Sequence, residues 1–169
     1  FIRSSVYQMD GDGFVSGGEL SFFCFGNQHN DDECNPNAPV GISFPYIVKP
    51  EIQKRAQREI ERAISLSGLN TGGVNIEFLV GDNEKIYILE IGPRPGGNRI
   101  PEVIKYHTGV DLVEKTVESS LGNTYISQQK DHEDGFHAAY IVHSKKDGIL
   151  SKIDIGKEIK ENILDINIW

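Results

Sequence analysis

The chain has 169 residues and carries 25 acidic against 17 basic side chains, which gives a formal net charge of −8. This acidic balance argues against a surface that binds nucleic acid or an anionic membrane. No apolar stretch reaches the length of a membrane-spanning helix. The two cysteines, Cys24 and Cys34, lie outside any metal-ligand spacing, so a cytoplasmic protein with reduced thiols is expected. The sequence leaves open whether the chain forms a homo-oligomer.

The residue pattern predicts strands and helices that alternate unevenly along the chain. An amphipathic helix begins at Pro50 and ends at Gly68, because apolar residues recur at helical spacing between a proline start and a glycine stop. The predicted elements are strand segments 14–15 and 20–25, loop 26–50, helix 50–67, strands 74–80 and 86–91, helices 100–107 and 112–121, a charged linker 128–135, strands 136–142 and 149–155, and a helical turn at 157–163. Hairpins of this kind favour an α+β fold with an antiparallel sheet and flanking helices.

Two glutamates occupy matching places in the predicted hairpin. If its loop is 82–85, Gly81 pairs with Ile86, and counting back places Glu77 opposite Glu90. Like charges across a ladder are destabilising unless a cation lies between them. Hard divalent cations bind carboxylate oxygens, so the pair predicts a Mg²⁺ site. The alternative is an exposed hairpin face on which the two glutamates never meet.

An arginine and a glycine-rich turn follow the second glutamate. Arg94 supplies a planar fork that suits phosphate oxygens. The turn at 95–99 (PGGNR) lets the backbone approach a phosphate or a substrate closely, as glycines permit. A plain tight turn is the alternative reading of these glycines.

These motifs together resemble the ATP-grasp superfamily. The similarity covers 72–78 (GGVNIEF) and 87–97 (YILEIGPRPGG), and it continues through 100–104, 108–112 and 121–122. It looks most like the large subunit of carbamoyl-phosphate synthase and related carboxylate–amine ligases. The resemblance implies ATP and one or two Mg²⁺ ions as cofactors. It also implies a small-molecule carboxylate, activated as an acyl phosphate, and an amine or similar nucleophile that attacks it.

The resemblance assigns expected roles position by position. It places magnesium on Glu77 and Glu90, and it places phosphate or the acyl phosphate on Arg94. Asn98 and Arg99 are expected to meet the acyl substrate.

Gly92 departs from the family pattern, since many ATP-grasp enzymes have an asparagine there as another metal ligand. A second metal ion would then be less well held, or its coordination would be completed by water. Asn75 is a candidate substitute, because strand alternation places it on the same face as Glu77.

A second similarity covers 12–20, which resembles the family's strand along the adenine and ribose. It implies that Asp12 and Val15 border the adenine and that Glu19 lies near the ribose.

The same resemblance predicts the domain organisation. Residues 1–125 are expected to form the C-terminal half of an ATP-grasp nucleotide-binding domain, and 126–169 the truncated start of the C-terminal subdomain. The N-terminal half of an ATP-grasp domain carries a lysine-bearing strand and a glycine-rich loop. This half is absent from the sequence, and we expect it to be supplied by the same protein as the partner of this chain. The chain alone is therefore expected to bind ATP poorly and to be inactive.

Two other functions compete with the ligase. Residues 8–19 (QMDGDGFVSGGE) fit a calcium-binding EF-hand loop, although Gln8 replaces the first acidic ligand and the flanks do not predict helices. A non-catalytic ATP-binding module is the other alternative.

Overall fold

The computed structural model describes residues 7–31, 35–123, 135–144 and 146–168. The strands are β1 Tyr7–Ser16, β2 Glu19–Asp31, β3 Asn35–Phe44, β4 Gly72–Val80, β5 Ile86–Gly92 and β6 His137–Tyr140. The helices are α1 Pro50–Ser67, α2 Ile100–Thr108, α3 Leu112–Ser120 and α4 Lys157–Lys160. The strands form one six-stranded antiparallel sheet in the order β5-β4-β1-β2-β3-β6. The α+β fold with an antiparallel sheet and flanking helices is thus confirmed.

Each face of the sheet carries its own apolar cluster. On one face α1 packs against alternate residues of β1 and β4, among them Val15 and Phe78. On the other face α2 and α3 cover Phe14 and Phe44, which belong to a second cluster. Because successive strand residues point to opposite faces, Asp10 and Asp12 of β1 and Asn75 and Glu77 of β4 lie on the α2 side, between residues that face α1.

Helix α1 forms as its sequence predicts. Pro50 stands in the first turn and Gly68 ends the helix in a left-handed conformation at φ 76°. Its buried residues are Ile52, Ala56, Ile60 and Ile64. They recur at helical spacing and form one apolar stripe, so the sheet is anchored on that face.

Two predicted segments are wrong. Much of 26–50 is not a loop, because β2 extends to Asp31 and β3 spans Asn35–Phe44. The prolines there misled the prediction: Pro39 pairs with Asn30 beside a register irregularity and precedes the stretch of β3 that pairs with β6, and prolines are tolerated at bulges and free edges. Residues 149–155 form no strand, and Ile149 is 97% exposed there. A lone extended segment is not stable without a partner strand.

The EF-hand hypothesis is also wrong. The segment expected to be a calcium loop is strand β1, which pairs with β2 on one side and β4 on the other. Its glycines serve close strand packing: a Cβ on Gly13 would lie 2.8 Å from the carbonyl oxygen of Phe22. A helix–loop–helix unit is therefore excluded at 8–16, because these residues already form a central strand.

The predicted domain boundary at 125/126 lies in 124–134, outside the described residues, as does most of the predicted linker at 128–135. Strand β6, beyond that boundary, pairs with β3 in the same sheet. Within the described ranges, no helix is both long and apolar enough to cross a membrane.

Candidate functional site

The two hairpin glutamates lie side by side on the α2 face of the sheet. Glu77 of β4 pairs with Glu90 of β5, so the predicted cross-strand pair is confirmed and the alternative in which they never meet is excluded. The predicted turn register is wrong, because Ile86 pairs with Val80 and not with Gly81. A bulge between Glu77 and Phe78 adds one residue to β5 and restores the expected pairing.

The electrostatics of this pair favour a cation. Partial burial raises the pKa of Glu77, and the carboxylate of Glu90 raises it further. A hydrogen bond from the side chain of Gln8 lowers the pKa of Glu77 in part. Glu90 itself is exposed. A positive charge between the two carboxylates would relieve the repulsion that contributes to the raised pKa of Glu77.

Two buried aspartates on β1 continue the acidic face towards the centre of the sheet. Asp10 pairs with Glu77 and is 7% exposed, and Asp12 pairs with Asn75 and is fully buried. Burial raises the pKa of Asp10 to about 7, with smaller contributions from Glu77 and Asp12. Burial likewise raises the pKa of Asp12 to about 6. The site is therefore wider and more acidic than the hairpin alone.

Asn75 links the two aspartates. Its Nδ2 donates to Asp10 Oδ1 at 2.7 Å and to Asp12 Oδ1 at 3.0 Å. Both hydrogens of the amide are thereby used. The structure brings Asn75 onto the face of Glu77, as predicted, and opposite Gly92 of β5. Its role as a substitute metal ligand stays a prediction.

Sequence reasoning missed this network of carboxylates and amide. The available signal was two acidic residues at alternate positions, Asp10 and Asp12, with an apolar pattern on both sides. Alternate residues share a strand face, but the similarity to a strand begins at Asp12, and the calcium-loop hypothesis assigns Asp10 to a loop.

The loop after β5 lies against Asp12. The backbone N–H of Gly96 donates to both carboxylate oxygens of Asp12, at 2.9 and 2.8 Å. A Cβ on Gly92 would lie 3.7 Å from Glu90 Oε1 and 3.8 Å from Cγ of Arg94. The arginine stem and the carboxylate of Glu90 therefore flank the same point, and Arg94 is exposed. Its charge lowers the pKa of Asp12.

The predicted substrate residues Asn98 and Arg99 sit at the start of α2. Both have positive φ, at 51° and 68°. Such angles are uncommon for residues other than glycine and are concentrated at functional sites. The guanidinium of Arg99 pairs with Glu102 at 3.6 Å and also with Asp165. Arg99 is thus held by carboxylates of the chain itself.

The three residues expected at the nucleotide base and sugar do not come together. Asp12 lies on the α2 face, whereas Val15 is buried in the α1 cluster on the opposite face. Glu19 is exposed beside the β1–β2 turn. The side chain of Val15 therefore cannot line the same pocket as Asp12.

The hairpin offers a pair of carboxylates, Glu77 and Glu90, to a cation. Among the residues that the structure describes, no group of three or more His, Cys, Asp or Glu side chains is arranged to hold a metal ion. Carboxylate oxygens are the ligands that Mg²⁺ prefers, and binding of Mg²⁺ by Glu77 and Glu90 stays a prediction.

The raised pKa values of the aspartates predict an unusual pH dependence of stability. Asp10 binds its proton more tightly in the folded chain than at its ordinary pKa of 3.8. The contribution of protonated Asp10 to the free energy of unfolding is therefore complete below about pH 4 and is lost as the pH rises through about 7. In EDTA, the free energy of unfolding of the wild type should fall over that window relative to Asp10→Asn.

Urea unfolding at intervals from pH 4 to 7.5 measures this difference. One pKa unit corresponds to about 1.4 kcal/mol, so the full change amounts to a few kcal/mol. Asp154→Asn is the control, because that carboxylate is 76% exposed. Parallel curves for the wild type and Asp10→Asn would contradict the assignment.

Comparisons with known proteins define the class of this fold. No protein-family model matches the chain. An uncharacterized protein of Sinorhizobium fredii, y4rH, is 26% identical over 113 residues, which cover 67% of this chain and 23% of that protein.

Solved structures match over most of the chain. Phosphoribosylglycinamide synthetase from Anaerococcus prevotii matches 90% of this chain with a TM-score of 0.78 and 26% identity. L-amino acid ligase from Bacillus licheniformis matches 95% with a TM-score of 0.76 and 21% identity. Biotin carboxylase from Campylobacter jejuni matches 82% with a TM-score of 0.66 and 17% identity.

These matches identify the chain as part of an ATP-grasp fold. The chain spans 38%, 41% and 30% of the three solved chains, respectively. The described structure thus corresponds to one portion of each of these solved chains.

Proposed function

We propose that this chain belongs to an ATP- and Mg²⁺-dependent ligase that activates a carboxylate as an acyl phosphate for attack by an amine or similar nucleophile. The observation that carries the proposal is the cross-strand pair of Glu77 and Glu90 with the stem of Arg94 beside it. This set provides two anionic oxygen donors for a hard cation and one planar donor for phosphate.

The names of the solved structures support the nucleotide and the reaction class. Two of the proteins are named as a synthetase and a ligase. The biotin carboxylase domain of Hydrogenobacter thermophilus 2-oxoglutarate carboxylase, with a TM-score of 0.60, was solved with MgADP, ADP and bicarbonate. An N5-carboxyaminoimidazole synthase from Aspergillus clavatus, also at 0.60, was solved with ADP and 5-aminoimidazole ribonucleotide.

In this proposal the side chains of the site have separate roles. Glu77 and Glu90 hold Mg²⁺, which when bound offsets the negative charge of the ATP phosphates. Arg94 donates to oxygens of the transferred phosphoryl group or of the acyl phosphate, where charge neutralisation and positioning matter more than proton transfer. Gly92 contributes no side-chain ligand, so we propose one well-held ion, with any second ion completed by water.

The finer assignments extend the same proposal. Asn98 and Arg99 bind the carboxylate substrate. The ion pairs of Arg99 with Glu102 and Asp165 show that its guanidinium is placed where carboxylates can reach it. We also propose that the remainder of the nucleotide site is supplied by the N-terminal half of an ATP-grasp domain in the same protein. The narrower relationship to carbamoyl-phosphate synthase is a proposal that rests on the sequence motifs alone. We place the protein in the cytoplasm, where thiols stay reduced, because Cys24 is a free thiol.

Release of ADP tests the reaction. The whole protein is incubated with Mg²⁺ and ATP, and ADP is measured with an amino-acid mixture as the source of carboxylates and amines, and without it. The ligase predicts ADP release that requires the mixture and is lost in Arg94→Ala. Nucleotide binding without any acceptor-dependent ADP release would instead support a non-catalytic ATP-binding module.

A further inference from the structure

The loop that carries Arg94 is attached to the sheet through one buried carboxylate. Asp12 is fully buried at the centre of β1, and both of its oxygens accept from the backbone N–H of Gly96. Asn75 donates to the same carboxylate from β4. Asp12 is thereby the point at which two central strands and the loop after β5 meet.

Gly96 is fitted closely to this attachment. A Cβ at that position would lie 2.7 Å from Asp12 Oδ1, 2.9 Å from Asn75 Nδ2 and 3.0 Å from Ile100 Cδ1. Contacts below 3.0 Å force a neighbour to move, and these neighbours are buried or hydrogen-bonded. The neighbouring Gly97 differs, because a Cβ there would meet nothing within 4 Å.

We propose that Asp12 is a positioning residue, which fixes the loop at 92–99 so that Arg94 stays beside Glu90. This inference rests on the proposed function, since it takes Glu77, Glu90 and Arg94 as the site. Asp12 acts through Gly96 and touches no reacting group. In this role Asp12 is neither a metal ligand nor a contact to the nucleotide base.

A purely structural link would not require a charge here. Burying a carboxylate costs free energy unless hydrogen bonds compensate for the lost water. Charge-assisted bonds to backbone N–H groups are stronger and more directional than neutral ones. The cost of burying Asp12 is partly offset by bonds that hold Gly96 in a defined place, two positions after Arg94.

Amide hydrogen exchange on the isotopically labelled 169-residue chain tests this positioning without any ligand. Asp12→Asn keeps the shape of the side chain but weakens its bonds to Gly96. Exchange of the Gly96 amide should become about 10- to 100-fold faster, the range expected for losing a hydrogen bond to a charged group. The Nε–Hε resonance of Arg94 should shift in the same variant.

Asp10→Asn is the matched control, because Asp10 also accepts from Asn75 but has no bond to the loop. It should leave Gly96 exchange within about twofold of the wild type, a change too small for a lost charged hydrogen bond. Equal effects of the two variants, or no effect of Asp12→Asn on Gly96 and Arg94, would overturn the proposal.

A second pair of variants acts from the loop side and spares the strand. Gly96→Ala should shift the Arg94 resonance, whereas Gly97→Ala should not, because only the first Cβ meets Asp12 and Asn75. The positioning role is refuted if Gly96→Ala leaves Arg94 unchanged in a folded chain. A whole protein that binds no Mg²⁺·ADP would contradict the proposed function alone, since the resonances of Gly96 and Arg94 are measured without nucleotide.

Discussion

Glu90→Gln is expected to weaken binding of Mn²⁺, used as a spectroscopic substitute for Mg²⁺, by about 10- to 100-fold, because it removes one of two anionic donors from the site. Folding should not suffer. Glu90 raises the pKa of Glu77 through like-charge repulsion, and the substitution relieves that repulsion. The thermal midpoint of Glu90→Gln should therefore equal or exceed that of the wild type.

Electron paramagnetic resonance of free Mn²⁺ in titrations of the chain measures this affinity. Glu59→Gln is the matched control, because Glu59 is exposed on α1, on the opposite face of the sheet. It should leave Mn²⁺ affinity unchanged. If Glu59→Gln and Glu90→Gln had the same effect, the metal would be held by the overall acidity of the chain and not by the hairpin pair.

Phe78→Ala is expected to reduce the free energy of unfolding by about 3–5 kcal/mol, the range for removing a fully buried aromatic side chain. Phe78 is fully buried in the α1 cluster, and its ring meets that of Phe25 at 4.8 Å between centroids. Urea unfolding measures the change. The loss would be large for a domain whose total stability is typically about 5–15 kcal/mol.

The same substitution at an exposed ring provides the comparison. Phe136 is 85% exposed, so Phe136→Ala should change the free energy of unfolding by less than about 0.5 kcal/mol. Similar losses for the two variants would mean that the α1 face does not form the core of the sheet.

The cross-strand glutamates could be predicted from sequence, although for an incomplete reason. A loop of four residues would pair Gly81 with Ile86, whereas the structure pairs Val80 with Ile86. The bulge near Glu77 compensates by one residue. Since a bulge leaves no clear mark in a short apolar run, the pairing was predictable but the local geometry was not.

The buried aspartates show why part of the site was missed. Asp10 and Asp12 alternate with glycines, and that composition is typical of turns and calcium loops. Here the glycines allow close approach of β2, for example at Gly13, and the aspartates are stabilised by an amide from β4 and a loop N–H. These partners are 63 to 84 residues away in sequence, so no local pattern could reveal them.

Paramagnetic broadening of the chain's amide resonances by Mn²⁺·ADP tests the central claim most directly, because it locates the metal and suits weak binding. The proposed site predicts that signals of Glu77, Glu90 and Gly92 broaden at the lowest Mn²⁺·ADP concentrations. Signals of Ile60 and Ile64, on α1 across the sheet, should persist. Broadening that begins at α1, or that spreads evenly over the acidic surface, would contradict a metal–nucleotide site on the β4–β5 hairpin.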